Sequence, residues 1–188
     1  LPAGTGHPGA VIVAGGRGSR YGDPLKCARL LPRLVARLRA AGCARVVVAG
    51  DHAGLDGHGW ERAPDAVGGA GPLGGIVGGL RRLDGCAAAV VLAGDMHRLE
   101  VRDLRRLLGA WRRLGRAVQA RQGPHPVLLG VLPATDWPVA DDALASGRRS
   151  VHRLFRAARA RPLWFAAAAV ADLDRPGDLL KFRAAHRR

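Results

Sequence analysis

The sequence predicts a single α/β domain in which a mostly parallel central sheet is flanked by helices. Two patterns and their alternation carry that expectation. Short apolar runs, "AVIVA" (10–14), "RVVVA" (45–49), "AAVVLAG" (88–94) and "PVLLGVL" (126–132), read as strands. Their unbroken apolarity, without a polar alternate residue, suits strands covered on both faces. Between them lie helical stripes of 3.6-residue period. Residues 28–41 place Leu30, Leu31, Leu34, Val35 and Leu38 on one face and Arg29, Arg33 and Arg37 on another. Residues 101–114 align Val101, Leu104, Leu107, Leu108, Trp111 and Leu114. Strand–helix–strand repetition gives a three-layer, Rossmann-like arrangement that binds ligands at the carboxyl ends of its strands. Near the end, "DLDRPGDLLKF" places acidic residues at a strand end and starts a last helix at Pro176. No repeat or linker divides the 188 residues, so residues 10–188 are expected as one domain behind a flexible leader, residues 1–9.

The composition, 48% hydrophobic and 24% charged, is that of a globular chain. Three scattered cysteines (Cys27, Cys43, Cys86) form neither a disulfide framework nor a zinc pattern, which points to a reducing cytoplasm. No apolar run reaches the roughly 18 residues of a membrane span. The net charge of +15 comes from 28 arginines and two lysines against 15 carboxylates. It reflects arginine-rich helix faces together with a field that attracts anions. Nucleic acid is not the expected partner, because the four Trp, three Phe and one Tyr are not interleaved with basic residues as a stacking platform needs.

The most informative stretch is "VIVAGGRGSRYGDPLK" (11–26), where a strand runs into a glycine loop ending on a lysine. Successive glycines let the backbone curl so that several N–H groups converge on one anion. It is not a Walker loop, since Leu25 precedes Lys26 and Cys27 follows it, nor a dinucleotide fingerprint, since Tyr21 stands where the third glycine belongs. It resembles the LAGGxxxRxGxxxK loop of the nucleotidyltransferases that include molybdenum cofactor guanylyltransferase, with Gly15, Gly16, Arg20, Gly22 and Lys26 at the matching spacings. The resemblance implies that Ala14, Gly15, Gly16, Arg17 and Gly18 wrap a nucleoside triphosphate whose phosphates meet Arg20 and Lys26. A compact ammonium on a flexible stem suits moving phosphate oxygens better than a planar guanidinium does.

Later segments follow the same family in order. "GAGPLGGIVGGL" (69–80) resembles its GPLxGIxxGL segment, which implies that Gly71, Pro72, Leu73 and Gly74 shape the base site, with Asp65 upstream contacting the nucleoside. "VVLAGDMH" (90–97) resembles the strand whose terminal aspartate holds Mg²⁺, which makes Asp95 the metal ligand and, with Arg20 and Lys26, a catalytic residue. An N-cap for a helix over 98–110 is the competing role for Asp95. "VADLDRPGDLLKF" (170–182) resembles the closing segment, so Asp172 or Asp174 joins Asp95 at the metal. "GPHPVLLGVLP" (123–133) and "LASGRRSVHRLF" (144–155) resemble the segments on the acceptor side, where Arg148 and Arg149 meet the acceptor's phosphate. His125 and His152 read as structural or solvent-facing.

The resemblance implies the nucleotide-diphospho-sugar transferase type of fold, Mg²⁺ with Mn²⁺ as a substitute, GTP as donor and molybdopterin as acceptor. Cofactor-insertion or molybdoenzyme proteins are the further partners it suggests, with no nucleic acid, no membrane, and a monomer or weak oligomer. Three departures stand out: Leu25 precedes the lysine, "KCARLLPRLVARL" runs straight into a helix without the family's short strand and turn, and His97 replaces a proline after the aspartate. The alternatives are a cytidylyltransferase or sugar-phosphate nucleotidyltransferase, and a catalytically weak nucleotide-binding paralogue.

Overall fold

A computed structural model describes residues 6–14, 26–50 and 59–170, with side chains in the first helix described from Leu30 onward. In chain order the elements are β1 (Pro8–Val13), α1 (Lys26–Ala40), β2 (Arg45–Ala49), β3 (Glu61–Ala63), α2 (Pro72–Leu80), β4 (Ala88–Ala93), α3 (Val101–Leu114), β5 (Val118–Gln122), β6 (His125–Pro133), a 3-10 turn (Ala134–Asp136), α4 (Trp137–Ala145), α5 (Val151–Ala157) and β7 (Arg161–Trp164). The strands form one sheet in the order β3-β2-β1-β4-β6-β5-β7. Only β6 runs against its neighbours, β4 and β5; every other pair is parallel. The expected three-layer α/β domain is therefore present.

Side chains alternate across each strand, and both faces are apolar. Ala10, Ile12, Val46, Val48, Val90 and Leu92 form one core with α1 and α3. Val11, Val47, Ala49, Ala89 and Val91 form the other with α2, α4 and α5. The stripe Leu30, Leu31, Leu34, Val35 and Leu38 is buried, as its periodicity predicts. On α3 the stripe is buried from Leu104 to Trp111, but Leu114 stays 44% exposed because it lies in the last turn before the chain leaves the helix. Gly115, with φ 63, makes that exit and donates its N–H to the Trp111 carbonyl.

Three expectations are corrected. Pro8 and Gly9 belong to β1 and pair with Ala88 and Ala89, so the strand starts inside the segment expected to be a leader. Proline is tolerated as a strand's first residue, and a Cβ at Gly9 would meet Leu83 Cδ2 at 2.7 Å and Cys86 Sγ at 3.1 Å. The helix after β4 starts at Val101 rather than 98. Glu100 caps it, accepting from the Asp103 N–H while the Asp103 carboxylate accepts from the Glu100 N–H, so Asp95 is not an N-cap. Lastly, β3, β5 and β7 extend the sheet beyond the four strands legible as apolar runs. The last helix expected from Pro176 lies outside the described residues. Cys43 and Cys86 are buried free thiols. Burial, reinforced by Cys86, pushes the Cys43 thiol up to about 12.

The glycines of α2 let it lie against the sheet and the preceding loop. A Cβ at Gly78 would overlap the Pro64 carbonyl, and one at Gly79 would overlap the Val11 side chain. Gly109 on α3, by contrast, has open space where its Cβ would stand. Gly78→Ala should therefore cost about 1–3 kcal/mol through overpacking, while Gly109→Ala should add about 0.5–1 kcal/mol through helix propensity. Urea unfolding of the two variants checks this; a Gly78→Ala midpoint at or above that of the parent would contradict the packing described.

Candidate functional site

The strand order defines one switch point. From β1 the chain moves through β2 to β3 on one side, then returns through α2 to β4 on the other side of β1. Chain segments leaving the carboxyl ends of β1 and β4 therefore diverge, and the crevice between them is where such sheets hold ligands. Ala14 follows β1 there, and Asp95 follows β4. The register pairs Val13 with Ala93, and the Gly94 N–H donates to the Val13 carbonyl at 2.9 Å. Ala14 is held on the other side by its N–H to Ala49 O at 2.8 Å. Adjacent strands lie about 5 Å apart, so Ala14 and Gly94 leave the sheet side by side. Because α1 carries the chain from the carboxyl end of β1 to the amino end of parallel β2, Lys26, its first residue, begins at the same edge. The helix indeed begins at that lysine, as the uninterrupted "KCARLLPRLVARL" suggests.

Asp95 is half-buried, and its carbonyl accepts from the His97 N–H at 2.8 Å, with His97 Nδ1 at 3.4 Å. Thus His97, standing where the related loops have proline, turns the chain back on the Asp95 carbonyl. Arg37 then fixes the turn from α1: its Nη1 donates to His97 O at 2.8 Å and to Leu99 O at 2.9 Å. In the sequence Arg37 reads as one more cation on a solvated face. The signal that marks it is position, since it is the residue of the α1 polar face that lies beside the loop after β4. Its pairing with carbonyls is invisible without the fold.

On the opposite face, Asp65 lies between β3 and α2. The space where a Gly75 Cβ would stand has Asp65 Oδ1 at 3.2 Å, Val13 Cγ1 at 3.4 Å and Ala49 Cβ at 3.5 Å. Glycine at 75 thereby admits the Asp65 carboxylate beside the ends of β1 and β2. Gly71, at φ 68, is the N-cap of α2, and Pro72 occupies its first turn. Leu73 is a buried core residue, while Gly74 accepts from the Ala66 N–H at 3.0 Å. Arg148 and Arg149 are exposed in the turn after α4. Arg149 Nη1 reaches Gly69 O at 3.2 Å, which joins the turn after α4 to the turn before α2.

The structure thus brings Ala14, Asp65, Gly71, Pro72, Gly74, Asp95 and Arg149 to the carboxyl edge. Gly15, Gly16, Arg17, Gly18, Arg20, the Lys26 side chain, Asp172 and Asp174 lie outside the described residues. Among the described residues no three His, Cys, Asp or Glu side chains cluster as a metal site. Of the carboxylates expected at a metal, Asp95 alone lies among the described residues, and one carboxylate is within what Mg²⁺ uses, its other positions going to phosphate oxygens and water. Among the described residues, no helix is long and apolar enough to cross a membrane.

Comparison with known proteins agrees with this geometry. Residues 10–163 match the family described as the MobA-like NTP transferase domain. A probable molybdenum cofactor guanylyltransferase of Chloroflexus aggregans is 33% identical over 129 residues, which is 62% of this chain and 59% of that relative. The chain thus aligns with less than two thirds of that relative's length. Among solved structures, molybdopterin-guanine dinucleotide biosynthesis protein A from Archaeoglobus fulgidus superposes with a TM-score of 0.72 at 16% identity, covering 94% of this chain and 97% of that one. Rv0371c from Mycobacterium tuberculosis, in complex with manganese, gives 0.64 at 18%, covering 95% and 98%. The 2-C-methyl-D-erythritol 4-phosphate cytidylyltransferase of Thermus thermophilus gives 0.67 at 16%, covering 95% and 98%. These structures share the fold.

Arg37→Ala should free the turn that carries Asp95. Losing a charged donor to two carbonyls should cost about 1–3 kcal/mol and speed amide exchange at Leu99 and Asp103. Hydrogen exchange measured by NMR tests this, and unchanged protection at both amides would show that the turn holds without Arg37.

Proposed function

The chain belongs to the MobA-like NTP transferase family, and we propose that it transfers GMP from GTP to molybdopterin with release of pyrophosphate. One observation carries the reading. The Asp95 segment and the start of the glycine loop leave neighbouring parallel strands at the switch point, with α1 beginning from Lys26 at the same edge. The acceptor's terminal phosphate attacks the α-phosphorus, the bond to the β-phosphate oxygen breaks, and pyrophosphate leaves. No protein nucleophile is required; positioning and charge neutralisation supply the rate. Backbone N–H groups of residues 15–18, with Arg20 and Lys26, hold the triphosphate and take up charge as it builds on the leaving group. Asp95, with Asp172 or Asp174, would hold Mg²⁺, with Mn²⁺ as a substitute; the ion supplies charge neutralisation at the phosphates.

The remaining residues orient the two substrates. The α1, α2 and α3 N-termini all open on this edge and favour a polyanion. Asp65 and the turn at Gly71–Gly74 border the nucleoside, while Arg148 and Arg149 face the acceptor's phosphate. The Gly69–Arg149 hydrogen bond holds the nucleoside and acceptor borders together. The reading places the enzyme in the cytoplasm, where GTP and molybdopterin meet, and gives it cofactor-insertion or molybdoenzyme proteins as downstream partners.

The test mixes protein, Mg²⁺, molybdopterin and labelled GTP, CTP or UTP, and measures pyrophosphate. GTP should be used preferentially, and Asp95→Asn should lower turnover by at least about 10²-fold, the scale of losing one electrostatic stabiliser of developing charge. Preference for CTP would reassign the donor. Unchanged turnover in Asp95→Asn would remove the aspartate from the site, and no pyrophosphate with any nucleotide would overturn the reaction.

A further inference from the structure

We propose that the groove between α5 and the outer end of the sheet binds the phosphate group of a small phosphorylated organic molecule, at a place separate from the β1–β4 crevice. A cavity of about 320 Å³ lies there, lined by Gln119 and Arg121 of β5, His152, Phe155 and Arg156 of α5, and Pro162 of β7. In the order β1-β4-β6-β5, β5 stands three strands from β1, roughly 14 Å away at the usual strand spacing. None of these residues belongs to the carboxyl-edge site.

One donor in this groove has no partner among the described residues. The Nε–H of Arg121 is buried and has no acceptor among the described residues, although its Nη2 donates to Pro124 O at 2.6 Å. Gln119 is a polar residue only 8% exposed, and it shares its strand face with Arg121. Its Oε1 lies 3.4 Å from His152 Nδ1. An amide oxygen only accepts, so that ring nitrogen carries the proton in this contact. The β5–β6 register shifts between Gln119 and Arg121, the kind of irregularity that re-aims a side chain out of the ladder. A buried donor without an acceptor is costly, and an oxyanion seated here would satisfy the Arg121 Nε–H.

The charge pattern selects the ligand. Two guanidinium groups and an imidazole line the cavity with no carboxylate, and neither Arg121 nor Arg156 is ion-paired among the described residues. Guanidinium forks match phosphate oxygens. The cavity exceeds a bare phosphate and falls in the size range of small-molecule sites. Phe155 and Pro162 give it apolar walls suited to a compact organic body. Gly130 seats the Phe155 ring deep against β6, since a Cβ there would overlap that ring.

Phenyl phosphate is the probe, with inorganic phosphate as its partner arm. In ¹⁵N-HSQC titrations of the parent protein, phenyl phosphate should shift the Arg121 Nε–H and Gln119 side-chain resonances. In calorimetry, Arg156→Gln should weaken its binding at least about tenfold, the loss expected for one charge-assisted contact. Arg113→Gln, on α3 across the sheet, should leave it unchanged. Saturating GTP and Mg²⁺ should not displace the probe. Displacement by GTP would put the phosphate in the crevice instead, and equal affinity for inorganic phosphate would remove the organic ligand. Binding that is insensitive to Arg156→Gln, or no shift at Arg121 Nε–H, would overturn the site. These outcomes are independent of whether the protein releases pyrophosphate.

Discussion

The parallel pairing of β1 with β4 constrains everything at the carboxyl edge. It runs in register from Pro8↔Ala88 to Val13↔Ala93, and the Gly94 N–H extends it by one bond. A Cβ at Gly94 would stand 3.3 Å from Val13 O and 3.5 Å from Ala14 Cβ, so glycine lets the two chains leave the sheet almost touching. The central position of β1 makes that pairing inevitable. β2 covers its other edge, and helices cover both faces, so β1 presents only its carboxyl end to a ligand. Asp95 gains its place from that closeness, since it stands two residues beyond β4 at the carboxyl edge.

Two further contacts turn this closeness into a fixed arrangement. On one face, Arg37 crosses from α1 to two carbonyls of the turn after Asp95. On the other, Gly75, Gly78 and Gly79 let α2 settle onto β1 and the Asp65 loop. A helix rich in glycine has poor intrinsic propensity, so α2 owes its stability to packing. Burial of Leu73, Ile76, Val77 and Leu80 supplies it. The glycines that weaken the helix are those that allow the burial. The segment whose sequence resembles a nucleotide-site pattern is thus also the segment whose backbone must approach the sheet closely.

The legible part of this structure is the part made of repetition. Fully apolar runs announce β1, β2, β4 and β6, and leucine stripes announce α1 and α3, because burial on both faces leaves no room for polar residues. The glycine loop, "GPLGG" and Asp95 are legible as a family pattern, and the sheet puts the described members of that pattern on one edge. What escapes is short or polar. β3 is "ERA", β5 is "VQARQ" and β7 is "RPLW", strands too brief or too charged to show a period. They take their conformation from the edge they extend. Glu100 and Asp103 spell a capping box three residues apart, yet Asp95 draws the eye first because the apolar run ends there. Gln119 and Arg121 escape for a different reason, since nothing in "VQARQ" tells that α5 returns over them.

Arginine itself explains why the sequence gives so little warning of such contacts. With 30 cations and 15 carboxylates, half of the cations have no carboxylate of their own to pair with, and the structure gives several arginines backbone carbonyls. Arg39 donates to Gly59 O, Arg105 to Ala40 O at the end of α1, Arg116 to Arg159 O and Arg149 to Gly69 O. Carbonyls at helix ends and turns carry partial negative charge and lack ladder partners. The guanidinium fork, with five donors held in a plane, suits bridging them. An ammonium offers no such planar fork and keeps its water more firmly. Several arginines here thus fasten one element to another while keeping their charge. By the same reasoning a lysine is poorly suited to that fastening, and Lys26, at the head of α1 beside the glycine loop, stands apart from the arginines by chemistry as well as by rarity.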